Sequence, residues 1–282
     1  MTRFLITGAN GMLGRDLQAA LVGQNVTALG RIDLDVTDLS AVTDAVAGHD
    51  VVINCAAYTK VDDAESNEDT AYLVNGVGAR NLAVAASAAS ARLVQVSTDY
   101  VFDGTATTPY PEDTPRHPIS AYGRTKAAGE EFVLAENGAR SFIVRTAWLY
   151  GRHGPNFART MLRLAANHDT VSVVNDQLGQ PTWTVDLAAQ IVLLLHADAP
   201  AGIYHGTNSG VASKFDMAQA VFTSAGLDAE RVLPTDSSAF VLPAPRPAYS
   251  VLGHESWASA GLVPMRDWRA ALSGAHSAGA VS

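Results

Sequence analysis

The chain has 282 residues, of which 48% are hydrophobic and 17% charged, a composition typical of a folded protein with one large domain or two smaller ones. Its net charge of −9 argues against a nucleic-acid-binding surface and gives no general attraction for an anionic membrane. The single cysteine, Cys55, excludes an intrachain disulfide, and no apolar run is long enough for a membrane span. Met1 to Thr7 lead directly into a strand pattern, so we predict no signal peptide and a cytoplasmic enzyme.

Strand and helix patterns alternate through the first half of the chain. Strands are predicted at residues 3–7, 25–29, 50–54, 92–97 and 141–146, and helices at residues 12–22, 39–47, 64–90 and 119–137. This alternation predicts an α/β fold with a doubly wound parallel sheet of the Rossmann type. Ligands of such a sheet bind at the carboxyl ends of its strands.

The pattern loosens after Tyr150, where helices are predicted at residues 157–166, 186–196 and 213–225. The segment Val241–Pro247 contains three prolines and is predicted to be rigid and extended. We predict a dinucleotide-binding domain over residues 1–150 and a smaller substrate-binding region over residues 151–282, with a segment near residues 180–200 that returns to the first domain. Residues 273–280 have little to bury and are expected to be disordered.

A glycine-rich loop lies between the first strand and the first helix. Glycine is needed where the backbone turns tightly or approaches a phosphate, and the following helix directs its positive N-terminus toward such a group. The spacing G-x-x-G-x-x-G differs from G-x-G-x-x-G, but its position favours a dinucleotide site, and no Gly-Lys-Ser/Thr of a P-loop follows. The loop residues predicted to bind the cofactor are Gly8, Asn10, Gly11, Met12, Leu13 and Gly14.

The end of the second strand bears on which nicotinamide cofactor is used. An acidic residue there favours the ribose diol of NADH, whereas an arginine favours the 2′-phosphate of NADPH. Arg31 therefore predicts NADPH, although a solvated surface arginine is an alternative reading. Asp35 and Val36 are expected near the adenine, and Asp33 could bind a ribose, so NADH stays open.

Tyr122 and Lys126 are four residues apart, which places them on one face of a helix. A phenol is a poor acid at neutral pH, and a nearby ammonium lowers its pKa. The pair therefore predicts a proton donor with an electrostatic partner. Ser97 and Thr98 end a strand and point to opposite sides of it, so either hydroxyl could bond the substrate oxygen.

Five further strings resemble the dTDP-4-dehydrorhamnose reductase family of the extended short-chain dehydrogenase/reductase superfamily. They occupy residues 54–65, 97–104, 145–151, 179–182 and 246–252, and the resemblance runs from Arg3 to about Trp268. It implies a catalytic trio of Thr98, Tyr122 and Lys126. It also implies cofactor contacts from Ala56, Ala57 and Tyr58, and a substrate site formed by Asn75, Asp99, Tyr100, Trp148 and Arg246.

The reaction implied by the resemblance is NADPH-dependent reduction of the C4 ketone of dTDP-4-dehydro-6-deoxy-L-mannose to dTDP-L-rhamnose. Three alternatives are a reductase of another dTDP-4-keto-deoxysugar, a non-catalytic NADP-binding subunit like that of methionine adenosyltransferase, and an epimerase or dehydratase, which the strings disfavour. Some family members bind Mg²⁺ at a dimer interface. Asp16 and Asp186 stand at such positions, but no third carboxylate is identified, so no metal is predicted and a homodimer stays open.

Overall fold

The computed structural model describes residues 1–197 and 199–281. Its strands are β1 (Arg3–Thr7), β2 (Asn25–Leu29), β3 (Val51–Asn54), β4 (Arg92–Thr98), β5 (Ser141–Thr146), β6 (Leu149–Tyr150), β7 (Val171–Val174), β8 (Leu178–Gly179), β9 (Thr182–Trp183), β10 (Gly202–His205), β11 (Ala212–Ser213) and β12 (Val232–Thr235). Its helices are α1 (Met12–Ala20), α2 (Leu39–Val46), α3 (Val61–Ala64), α4 (Glu68–Tyr72), α5 (Gly78–Ala88), α6 (Ala121–Asn137), α7 (Phe157–Ala165), α8 (Thr184–His196), α9 (Lys214–Ser224), α10 (Glu255–Ser259) and α11 (Trp268–Ser277). Among the described residues, none of the helices has both the length and the apolar character of a membrane span.

A parallel sheet in the order β10-β5-β4-β3-β1-β2 forms the centre of the described chain, which confirms the predicted doubly wound fold. The chain passes from β2 on one side of β1 to β3 on the other. The order of the strands therefore reverses between β1 and β3, and a crevice opens there at their carboxyl ends.

Both faces of this sheet are covered, because its strands are apolar on both sides. Phe4 and Ile6 of β1 pack with Leu17 of α1 and Ile191 of α8, whereas Leu5 packs on the opposite face. Helix α8 and strand β10 thus belong to the central sheet structure, although they come from the second half of the sequence. A separate core in that half contains Trp183, Phe222 and Trp268. The domain boundary at residue 150 stays a prediction.

The single helix predicted over residues 64–90 is wrong in detail. Helix α3 ends at Ala64 and α4 starts at Glu68, because the Asn67 amide donates hydrogen bonds back to the carbonyl and the carboxylate of Asp63, at 3.1 and 3.2 Å. Such local bonds compete with a continuous helix. A π-helical turn at Leu73–Val77 then joins α4 to α5.

The predicted disorder of residues 273–280 is also wrong. Helix α11 runs to Ser277, and Ala275, Ala280 and Val281 are buried in the second core. Small side chains allow this close packing, and alanine has the highest helix propensity. The Ala280 N–H donates to the Ala275 carbonyl at 2.8 Å beyond the helix end, where Gly279 has a φ of +65°.

A buried ion pair fixes α6 to the sheet. Arg145 of β5 donates to both carboxylate oxygens of Glu130, with an Nη2–Oε2 distance of 2.8 Å, and Ser97 donates to the same carboxylate. Burial alone would raise the pKa of Glu130, but the Arg145 guanidinium and these hydrogen bonds more than offset it, so the pKa is lowered and the group is ionised.

Glu130→Ala leaves Arg145 as a buried, unpaired cation. We expect the free energy of unfolding to fall by about 3–5 kcal/mol. Glu136→Ala is the control. Glu136 lies on the same helix as Glu130, and its exposed pair with Arg80 of α5 contributes less than about 1 kcal/mol. Denaturant unfolding measures both changes, and equal values for the two variants would contradict the role assigned to Glu130.

Candidate active site

Two glycines shape a cradle at the crevice between β1 and β3. Gly8 has a φ of +64°, and a Cβ there would lie 2.5 Å from the Ala56 amide nitrogen. A Cβ on Gly14 would lie 2.6 Å from the Gly8 carbonyl oxygen. Gly11 precedes α1 without a side-chain cap, so the first N–H groups of the helix stay open to an anion. These features fit the pyrophosphate of a dinucleotide.

The loop after β2 presents Arg31 as its available cation. Arg31 is exposed and makes no ion pair with another described residue. Asp33, the alternative ribose ligand, instead accepts a hydrogen bond from the Gly30 N–H at 2.8 Å. Asp35 accepts from the backbone and side chain of Thr37, which lowers its pKa. Val36 is buried.

A chain of buried amides fixes the segments that the cofactor would contact. Asn54 accepts from Thr7 Oγ1 at 2.7 Å and from the Ala56 N–H at 3.0 Å, and it donates to Gln95 at 2.7 Å. The carboxyl ends of β1 and β3 are thereby tied to each other and to the middle of β4. Fully satisfied networks of this kind hold a single arrangement of their members.

The Asn75 side chain links two segments of the site. It lies in the π-helical turn and is only 2% exposed. Its amide accepts from the Tyr58 N–H at 2.8 Å and donates to Thr125 Oγ1 at 3.0 Å and to the Tyr58 carbonyl. Asn75 therefore joins the segment around Tyr58 to α6, and its contact with a substrate stays a prediction.

The implied catalytic trio converges where β4 ends and α6 begins. Ser120 caps α6 by accepting from the Gly123 N–H at 3.1 Å. The Tyr122 side chain lies close to that of Thr98, whereas the Ser97 hydroxyl donates a hydrogen bond to Glu130. Thr98, and not Ser97, is thus the hydroxyl beside Tyr122.

The expectation that Lys126 lowers the pKa of Tyr122 is wrong for this structure. The Lys126 ammonium donates to the Val96 carbonyl at 2.6 Å, and burial lowers the pKa of Lys126 to about 8. Burial and the nearby Asp99 carboxylate raise the pKa of Tyr122, and only the Thr98 side chain acts to lower it. Tyr122 is therefore a neutral phenol that holds its proton.

The substrate side of the cleft carries Asp99 and Arg246. Asp99 is 1% exposed, and its Oδ1 accepts from Thr98 Oγ1 at 2.9 Å. Ser250 lies near its Oδ2, which has no hydrogen-bond partner of good geometry among the described residues. Arg246 donates to Asp62 Oδ2 at 2.8 Å and to the Ala244 carbonyl at 2.9 Å.

Trp148 is held in place by Gly179 of β8 and Lys214 of α9, and the sequence analysis missed Lys214. Trp148 has a φ of +47°, which is strained for a residue other than glycine. A Cβ on Gly179 would lie 2.6 Å from its indole ring. The Lys214 ammonium lies 3.3 Å from the centre of the same ring. Lys214 follows a helix-start signal, Ser213-x-x-Asp216, but a lone lysine carries no motif of its own.

Asp186, one of the two carboxylates considered for Mg²⁺, is engaged by neighbouring side chains. Asp186 is bonded by Arg266 through both oxygens, at 2.9 Å each, and also accepts from Asn208. Within residues 1–197 and 199–281, no group of three or more His, Cys, Asp or Glu side chains has the arrangement of a metal site.

The chain matches the family described as RmlD substrate binding domain over residues 2–279. It is 54% identical to a dTDP-4-dehydrorhamnose reductase of Streptomyces griseus, with 96% of this chain and 91% of that protein aligned. It is 53% identical to a dTDP-4-keto-6-deoxy-D-glucose reductase of Streptomyces niveus, with 96% and 95% aligned.

A crystal structure of a Bacillus anthracis dTDP-4-dehydrorhamnose reductase in complex with NADP superposes with a TM-score of 0.95 at 41% identity, covering 99% of this chain and 100% of that one. The match spans the glycine loop, the Tyr122 helix and the second half of the chain alike. The chain belongs to the RmlD family of dTDP-4-dehydrorhamnose reductases, as its motifs predict.

Proposed function

We propose that this protein reduces the C4 ketone of dTDP-4-dehydro-6-deoxy-L-mannose with NADPH and forms dTDP-L-rhamnose. The placement of the Thr98 side chain close to the Tyr122 phenol, beside the glycine cradle, is the observation that carries the proposal. The name of the Streptomyces griseus relative and the NADP in the Bacillus anthracis structure support it.

The side chains divide the chemistry between them. The nicotinamide supplies the hydride when it is bound. Tyr122 keeps its proton until an alkoxide develops on the sugar oxygen and then donates it, because its raised pKa disfavours earlier loss. Thr98 orients the carbonyl oxygen next to Tyr122, and Lys126 would hold the nicotinamide ribose.

Arg246 would bind the diphosphate of the sugar nucleotide. A chain of net charge −9 needs a local cation to attract a dianionic substrate. Asp62 and the Ala244 carbonyl use only part of the five N–H donors of the guanidinium. Asp62 thus places Arg246 in the cleft and leaves donors for phosphate oxygens.

A second candidate is a reductase of another dTDP-4-keto-deoxysugar. It is favoured by the names of the Streptomyces niveus relative and of a Streptomyces antibioticus relative at 52% identity, a probable dTDP-4,6-dihydroxy-2-methyloxan-3-one 4-ketoreductase. Incubation with NADPH and a panel of dTDP-4-keto sugars, with NMR of the product, separates the two. No NADPH consumption with any sugar would contradict both and favour a regulatory subunit.

Tyr122→Phe removes the acid but keeps the ring. We expect turnover to fall by about 10²–10⁴-fold with NADPH affinity unchanged, since proton donation is lost and packing is not. Steady-state rates and NADPH titration measure the two quantities. Tyr72→Phe, at an exposed tyrosine on α4, is the matched control. Near-normal turnover of Tyr122→Phe would contradict the assignment.

Arg31→Ala tests the cofactor preference. A charge-assisted bond to the 2′-phosphate predicts a loss of about 10- to 100-fold in NADPH affinity. NADH lacks that phosphate and should bind as before, so it serves as the internal control. Titration of both cofactors against both proteins gives the answer, and an equal loss would show that Arg31 is only a surface cation.

The pKa of Lys126 predicts an unusual pH dependence. Because burial lowers it to about 8, the ammonium is present below that pH and lost above it, whereas an ordinary lysine keeps its charge to about pH 10. We expect kcat/KM for NADPH, at saturating sugar nucleotide, to decline above pH about 8. Tyr122 titrates far higher. Lys126→Arg should abolish this decline, and its persistence in that variant would rule out Lys126 as the cause.

A further inference from the structure

Lys214 is presented to the substrate cleft from a rigid base. It is the first residue of α9, and a reciprocal cap fixes that helix start: Ser213 Oγ accepts from the Asp216 N–H at 2.9 Å, and Asp216 Oδ2 accepts from the Ser213 N–H at 2.8 Å. Strand β11 just before it pairs with β8, whose Gly179 packs on Trp148. The position of Lys214 is therefore set by backbone pairing.

The ammonium of Lys214 lacks an acceptor. It lies 3.3 Å from the ring centre of Trp148 and 5.2 Å from that of Phe157, and it makes no hydrogen bond with the described residues. Aromatic rings attract a cation but leave its N–H groups unpaired. The ammonium therefore covers one face of the Trp148 ring.

The Asp99 carboxylate has the complementary property, a hydrogen-bond acceptor without a well-placed donor. Its Oδ2 is buried and has no hydrogen-bond partner of good geometry among residues 1–197 and 199–281, although the Ser250 side chain is close to the carboxylate, whose charge attracts Lys214. Its Oδ1 is bonded to Thr98, the residue beside the proton donor. A donor without an acceptor and an acceptor without a donor therefore lie next to the reacting centre. A neutral hydroxyl, which both accepts and donates, satisfies the two at once.

We propose that Lys214 is a sugar-binding residue, whose ammonium donates to the C3 hydroxyl of the hexulose while that hydroxyl donates to Asp99. The assignment rests on the proposed function, since of the two carbons beside a C4 ketone in a 6-deoxyhexulose only C3 carries a hydroxyl. Lys214 then selects sugars that keep this hydroxyl, because a sugar without it leaves both polar groups unpaired.

The test measures the affinity of dTDP-L-rhamnose, its 3-deoxy analogue and dTDP by calorimetry, with NADP⁺ present. Removing the C3 hydroxyl should weaken binding to the wild-type protein by about 10-fold or more. Lys214→Met should weaken dTDP-L-rhamnose by a similar factor and leave dTDP within about twofold. In the variant, the two sugars should bind almost alike, since both changes remove one contact. Arg163→Met, which removes an exposed charge from α7, is the control.

Three results would overturn the assignment. An equal loss of dTDP affinity in Lys214→Met means that the ammonium binds the diphosphate. Additive effects of the variant and of the missing hydroxyl mean that the two do not touch. Equal affinity of the wild-type protein for dTDP-L-rhamnose and its 3-deoxy analogue means that the C3 hydroxyl makes no contact that contributes to binding. NADPH consumption with 4-keto sugars tests the proposed function separately, so a failure of either is distinguishable.

Discussion

The close approach of Gly8 to the peptide between Cys55 and Ala56 is the constraint on which the site depends. Any side chain at residue 8 would collide with that backbone and push β1 and β3 apart at their carboxyl ends. The Asn54 network secures the same ends through side chains. The crevice is thus defined by the backbone and side chains of the protein itself, and helix α1 points its N-terminus into it.

Helix α6 connects the crevice to the predicted catalytic residues. It carries Tyr122 and Lys126, and the buried hydrogen bond between Glu130 and Arg145 of β5 anchors it to the sheet. From the side, Asn75 fastens Thr125 to the cofactor segment. The π-helical turn is what places that amide, which gives a physical reason for an irregularity in an otherwise regular helix.

The elements that sequence patterns predicted well are those whose signal is local. Strands β1 to β5 are apolar runs and end where turn residues begin, so their positions agree with the structure to within one residue. Contacts between distant residues escaped prediction. The pairing of Asp62 with Arg246 joins residues 184 positions apart, and Lys126 meets a carbonyl rather than the phenol. Motif spacing locates residues on elements but does not report which partner each polar atom finds.

Burial distinguishes two of the arginine–carboxylate pairs near the site, Glu130–Arg145 and Asp62–Arg246. The Glu130–Arg145 pair is almost fully buried, so neither partner can exchange for a ligand without a large desolvation penalty, and the pair serves structure. The Asp62–Arg246 pair is partly exposed, at 40% and 18%, so solvent screens it and its loss costs little. The Asp62–Arg246 contact is therefore broken at low cost, whereas the Glu130–Arg145 pair holds helix α6 rigidly against the sheet.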